Sequence, residues 1–295
     1  MKRQPRTSPK PLVLRGLRLA IFLLNKLSPE LAARLVERIW FAAQRHAEPQ
    51  RESQWRASAR QARLDFDQGE LAVYLWGDAG PAVLLMHGWS GRGTQLAAFA
   101  GPLQQAGYRV VAFDAPAHGQ SSADTTHMFK IVEALRAVDR EYGPFHGVVA
   151  HSFGAMVLAR ALHDGFTTQR AVCISPPAQL RFLIDSYCES LRVPLRVRQR
   201  FEKRLEKYFG EDIHSRVSSE CNARKLSIPA LIVHDENDHD VSVEQGRRLA
   251  EAWPGAQLVI THGLGHRRIL RDPETIRRVV EYVRDDLEEN ANERE

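Results

Sequence analysis

The stretch His146-Gly147-Val148-Val149-Ala150-His151-Ser152-Phe153-Gly154-Ala155 carries an apolar strand straight into a His-Ser-x-Gly turn. A serine at a sharp strand-to-helix corner holds its hydroxyl away from the backbone and leaves the next amide free to donate a hydrogen bond. Ser152 is therefore the candidate nucleophile. Ala150 and Gly154 flank it two residues on either side, where a bulky side chain would collide with the neighbouring chain. Because the first of these is alanine, the strict Gly-x-Ser-x-Gly pattern is missed by one methyl group. Taken alone, the five residues equally describe a strand that ends at a helix capped by Ser152.

The order of the other segments decides between these readings. Ala82-Val83-Leu84-Leu85-Met86 is an apolar run ending in His87-Gly88-Trp89, a pattern that turns the backbone and leaves the Trp89 amide at the strand ends. Arg109-Val110-Val111-Ala112-Phe113-Asp114 follows, with a turn through His118-Gly119-Gln120-Ser121. After the serine come Pro229-Ala230-Leu231-Ile232-Val233-His234 with an acidic loop, then Gln257-Leu258-Val259-Ile260-Thr261 with Gly265-His266. Serine, acid, histidine is the chain order of one type of catalytic triad.

On these residues, over about 64–288, the chain resembles the α/β-hydrolase superfamily, in its serine-nucleophile branch. The segments His87 to Gly93 and Gly263 to Arg268 are similar to those of bacterial hydrolases of that fold whose substrates are not known. The resemblance implies a mainly parallel sheet with helices on both faces, and a helical cap inserted over the site.

An unassisted serine hydroxyl is a poor nucleophile, so it needs a base in hydrogen-bond reach and a third group to orient that base. His266 is the candidate base, after a glycine and beyond the last strand. His87 and His151, with Gly88 and Gly154, sit at tight turns and are expected to support the site structurally; His118 is similar. The loop His234-Asp235-Glu236-Asn237-Asp238-His239-Asp240 offers four carboxylates. The family pattern puts a small residue after the strand, the orienting acid three positions on and an aliphatic residue three further. Asp238 and Val241 fit and Asp235 departs from it, so Asp238 is chosen, with Asp240 or Glu236 as alternatives. A calcium loop would need glycine at Asp240 and glutamate at Gly246, so no metal and no cofactor is expected. The backbone amides of Trp89, as the resemblance would have it, and Phe153 are the candidate oxyanion donors.

The 295 residues carry a formal net charge of +5, with 43% hydrophobic and 26% charged residues, an ordinary globular mixture with material for a large core. Three cysteines without Cys-x-x-Cys spacing fit a reducing, cytoplasmic setting better than a disulfide framework. The thinly spread positive charge carries no nucleic-acid motif. Oligomeric state is not legible.

Residues 1–60 read as a helical preface to an α/β-hydrolase domain over 61–290. Lys2, Arg3, Arg6, Lys10, Arg15 and Arg18 precede the apolar patch from Leu19 to Leu24, which is too short for a signal peptide or a transmembrane span. It reads as an amphipathic helix with Leu17, Ala20, Ile21, Leu24 and Leu27 on one face, packed on the domain or, alternatively, in peripheral contact with an anionic membrane. Ser28-Pro29 marks a second helix start. Gln68-Gly69 separates two strands of an opening hairpin.

Strand-helix alternation breaks after Ser175, and residues 178–225 read as the helical cap. Phe182, Leu183, Tyr187 and Leu191 are expected to face either the substrate or the core. The run Arg196, Arg198, Arg200, Lys203, Arg204 and Lys207 describes a solvated face, with Arg198 spaced to pair with Glu202, or a site for an anionic group. The whole implies a serine hydrolase acting on a small-molecule carboxylic ester or thioester through an acyl-enzyme; the alternatives are acyl transfer on the same triad, or a binding protein that has kept the fold without the chemistry.

Overall fold

The computed structural model describes residues 11–67 and 69–292, so Lys2, Arg3, Arg6 and Lys10 lie outside the described residues. Three helices come first, α1 (Pro11–Leu27), α2 (Pro29–Trp40) and α3 (Gln50–Ser58), followed by the hairpin β1 (Arg60–Phe66) and β2 (Gly69–Trp76). Then β3 (Ala82–Met86), α4 (Ala100–Gln105), β4 (Arg109–Phe113), α5 (Met128–Tyr142), β5 (Phe145–His151), α6 (Phe153–His163) and β6 (Arg170–Ile174) alternate. The insertion holds α7 (Leu180–Leu191), α8 (Leu195–Phe209), α9 (Ile213–Val217) and α10 (Ser219–Ala223). The chain closes with β7 (Ala230–Asp235), α11 (Val243–Ala252), β8 (Gln257–Thr261), α12 (Gly265–Arg268) and α13 (Pro273–Asn292).

The strands form one eight-stranded sheet in the order β1-β2-β4-β3-β5-β6-β7-β8. β1 and β2 pair antiparallel, as does β2 with β4, and every later pairing is parallel. Every residue of β3, β5, β6 and β7 is buried, which explains their unbroken apolar runs: helices cover both faces. Alternate residues feed opposite layers. Val148 and Ala150 join one core cluster and Val149 the other.

The first two helices and the insertion pack together into one roof. The Arg18 guanidinium donates to the Ser190 carbonyl at 2.7 Å, and the Tyr187 hydroxyl to the Val36 carbonyl at 2.7 Å. Arg204 binds Glu37 at 2.7 Å and Glu30 at 2.9 Å. Ser28 caps α2, accepting from the Leu31 amide, with Pro29 in the first turn.

One reading of these segments needs correcting. Leu27 does not share the packed face of α1: at about 100° per residue it falls roughly 120° from the buried Ile21, and it is exposed. The cap's basic run is the solvated, ion-paired face that its spacing describes, rather than the alternative site for an anionic group. Arg198 pairs with Glu202 and Asp185, Arg204 with the preface, and Arg196, Arg200, Lys203 and Lys207 are exposed.

Candidate active site

Parallel register brings the C-terminal ends of the central strands to one edge of the sheet, where loops gather. Ser152 stands at the β5–α6 corner with φ 53° and ψ −124°. A non-glycine residue there stores about 1–3 kcal/mol of strain. The corner is clamped from both sides, by the Ser152 amide donating to the Ile174 carbonyl at 2.8 Å and by tight approach of the β3 loop. A Cβ on Gly88 would come within 2.8 Å of the Ser152 Cβ, and one on Gly154 within 2.6 Å of the His87 carbonyl. Ala150 is wholly buried in the core, so the methyl group that breaks the strict motif is accommodated.

His266, in α12, brings Nε2 to 3.0 Å from the Ser152 Oγ and Nδ1 to 2.7 Å from Oδ2 of Asp238. An ionised carboxylate only accepts, so Nδ1 carries the proton and Nε2 turns its lone pair to the hydroxyl. The Asp238 carboxylate also accepts from the Asp240 and Val241 amides, each at 2.9 Å. Burial pushes its pKa up, but hydrogen bonds from His234 and His266 and the Val241 amide outweigh burial and hold it well below the carboxylate range. The two alternative acids lie elsewhere: Glu236 pairs with His262 at 2.8 Å, and exposed Asp240 lies 3.9 Å from Arg267.

The supporting histidines are neutral. Burial lowers His87 to about 4 and His118 to about 3, and takes His151 well below the ordinary value, with the neighbouring His266 ring acting in the same direction. His87 Nδ1 donates to the Gly88 carbonyl at 2.7 Å while Nε2 accepts from the Ala115 amide at 3.0 Å, tying the loops after β3 and β4. His151 Nε2 donates to the His266 carbonyl at 2.9 Å, and the two rings lie 4.6 Å apart. Among the described residues, no group of three or more His, Cys, Asp or Glu is arranged to hold a metal ion.

Asp235 is a site residue that the sequence pattern treated only as a departure. It accepts from the amides of Asn237, Leu264 and Gly265 and from the Thr261 hydroxyl, all within 3.0 Å, and so fixes the loop that presents His266. An aspartate ending one strand beside the Gly-Leu-Gly loop of its neighbour was the available signal.

Two cavities meet at Ser152. An apolar chamber of about 480 Å³ is walled by Leu14, Leu17, Trp40, Leu183, Tyr187 and Phe209 among others. Leu191 also lines it, but Phe182 does not. A cleft of about 960 Å³ is lined by Arg51, Arg92, Arg267, Arg268 and Arg271 together with Glu52 and Asp240. Burial raises the Glu52 pKa, offset by Arg92, which lies 3.5 Å away, and by Arg51. Trp89, Ser90, His46 and Arg267 border both spaces. The Trp89 and Phe153 rings stand edge to face at 5.4 Å beside the serine. Phe153 opens α6, where a helix N–H has no carbonyl one turn back to bond. The preface residues in these walls carried no sequence signal beyond an apolar stripe.

An esterase from Pyrococcus furiosus superposes with a TM-score of 0.62 at 21% identity, covering 83% of this chain and 97% of that one. A thioesterase domain from the curacin biosynthetic pathway gives 0.57 at 18% identity, covering 76% and 99%. A meta-cleavage product hydrolase from Pseudomonas fluorescens gives 0.59 at 18%, covering 76% and 98%. At these identities the likeness is one of fold. No functionally curated protein matches the chain in sequence. The alpha/beta hydrolase family profile matches residues 83–279, the span from β3 into α13 that holds Ser152, Asp238 and His266, and the chain belongs to that family.

Proposed function

We propose that the protein is a serine hydrolase that cleaves a carboxylic ester or thioester of an apolar acyl group. The observation that carries this reading is the continuous chain of contacts from Ser152 Oγ to His266 at 3.0 Å and from His266 to Asp238 at 2.7 Å, at the junction of the two cavities.

His266 Nε2 takes the hydroxyl proton as Ser152 Oγ bonds to the substrate carbonyl carbon, and Asp238 stabilises the imidazolium. The carbonyl oxygen becomes an oxyanion that accepts from the Trp89 and Phe153 amides. Collapse breaks the bond to the alcohol or thiol, which receives the proton from His266. Water then attacks the acyl-serine by the same steps and releases the carboxylic acid. The acyl chain occupies the chamber and the departing group the arginine-lined cleft. The protein's own side chains and amides supply each step, and its free thiols fit a cytoplasmic setting.

The test is fluorophosphonate labelling with peptide mapping, followed by turnover of esters and thioesters of graded acyl length. The probe should sit on Ser152, and Ser152→Ala should lose turnover by roughly 10⁶-fold with its fold intact. A probe on another serine would overturn the assignment. A folded chain that neither labels nor turns over any ester would instead make this a binding protein.

A further inference from the structure

Helix α1 is apolar on two opposite faces. Leu14, Leu17, Ile21 and Leu24 follow helical spacing and turn inward, Leu14 and Leu17 as walls of the chamber. Leu12, Leu19, Leu23 and Leu27 form a second stripe on the outer side, exposed by 79, 58, 52 and 81%, with Phe22 and Val13 flanking it. Nine large hydrophobic side chains are strongly exposed among the described residues, and seven of them lie between Leu12 and Leu31. Scattered exposed leucines need no explanation, but a stripe of this kind marks a contact surface.

Charge indicates what covers it. α1 carries Arg15, Arg18 and Lys26 and no acidic residue. Arg15 and Lys26 are exposed and sit within about 60° of the Leu12 direction, so their stems border the apolar stripe and their charged ends rise beside it. The Lys26 ammonium lies 5.5 Å from the Phe22 ring. A two-fold contact between copies through this face would bring these cations against their own kind, with no carboxylate on α1 to answer them. Anionic lipid headgroups provide that answer, with acyl chains beneath for the leucines. No described helix is long and apolar enough to cross a membrane, which leaves α1 lying in the plane of the surface.

We infer that α1 is an interfacial anchor: its outer stripe seats in the headgroup region of an anionic phospholipid bilayer while its inner stripe continues to wall the chamber. Packing on the domain and contact with a membrane, alternatives at the level of sequence, are thus assigned to opposite faces of one helix.

The experiment is co-sedimentation of the full chain with phosphatidylcholine vesicles, with and without phosphatidylglycerol, and it reads binding independently of turnover. The chain should pellet with the anionic vesicles. Leu19→Glu with Leu23→Glu should lower the pelleted partition by at least roughly 100-fold while leaving the melting temperature unchanged. Neutralising Arg15 or Lys26 to Gln should lower it by about fivefold each, and added salt should act in the same direction. Leu12→Asp with Leu27→Asp, at the two most exposed positions, is the second variant should the first melt early. Wild-type chain that stays in the supernatant, or both double variants pelleting like wild type, would overturn the inference. So would a dimer that ignores vesicles and is split by the glutamates.

Discussion

The chamber and the cleft share Ser152 and a border of His46, Trp89, Ser90 and Arg267, but the rest of their walls come from different parts of the chain. Helices α1, α2 and α7, with the end of α8, supply the apolar walls; α3, the loop after β3 and the residues around α12 supply the arginines. On the proposed function, one space selects by shape and apolar area and the other by charge, and the reacting group belongs to neither alone. Acyl preference and leaving-group preference are, on that proposal, separable.

The sharpest way to break that picture is to alter what both spaces share. Asp238→Asn should cut kcat by roughly 10⁴-fold for every acyl length and every leaving group, because it disturbs the tautomer of the common base. A loss confined to one substrate series would mean the cavities do not serve one site. The same variant has a second readout. Asp238's pKa is depressed in the folded chain, so its charge contributes stability that is present above the unfolded value of about 3.9 and is lost as pH falls through the lower folded value. Acid titrations of stability should therefore slope less steeply in Asp238→Asn than in wild type, by up to about 1.4 kcal/mol per pH unit.

A smaller effect separates the two spaces. Leu183→Trp adds bulk to the chamber wall and should lower kcat/KM for long acyl groups by about 10–100-fold while sparing short ones. Phe182→Ala, one residue away but outside the chamber, should leave the acyl profile unmoved. Equal shifts from both would show the roof acting as a whole rather than through its lining. Smallest of all, Arg271→Gln in the cleft should raise KM by roughly fivefold for a substrate with an anionic leaving group, and salt should erase the difference. A change in acyl preference from that variant would blur the division.

What the sequence made legible follows the same division. The strands were readable because burial on two faces demands continuous apolar runs, and the Ser152, Asp238, His266 set because strand order fixes which loops converge. The roof was less readable. A helix with apolar stripes on two faces gives periodicity no single face to find, so Leu27 fell in with the wrong stripe. The cap's basic run was legible as a solvated face and the Arg198–Glu202 pair from its spacing, but the partners Asp185, Glu30 and Glu37 come from other helices and were not. Arg51, Arg92 and Arg271 come from segments that only tertiary folding brings together, so no local pattern announces them.

The roof also sets an order of events during synthesis. Its ties run between residues 151 to 174 positions apart, from Val36 to Tyr187 and from Glu30 to Arg204. At a translation rate of about 5–20 residues per second, α1 and α2 leave the ribosome roughly 8 to 35 s before the helices that close over them. Through that interval the inner face of α1 has α2 beside it but not α7, while its outer stripe is exposed then as it is in the finished protein. A chain truncated before α7 would leave that inner face incompletely covered, so the arrival of α7 and α8 sets how long the hazard of aggregation through it lasts.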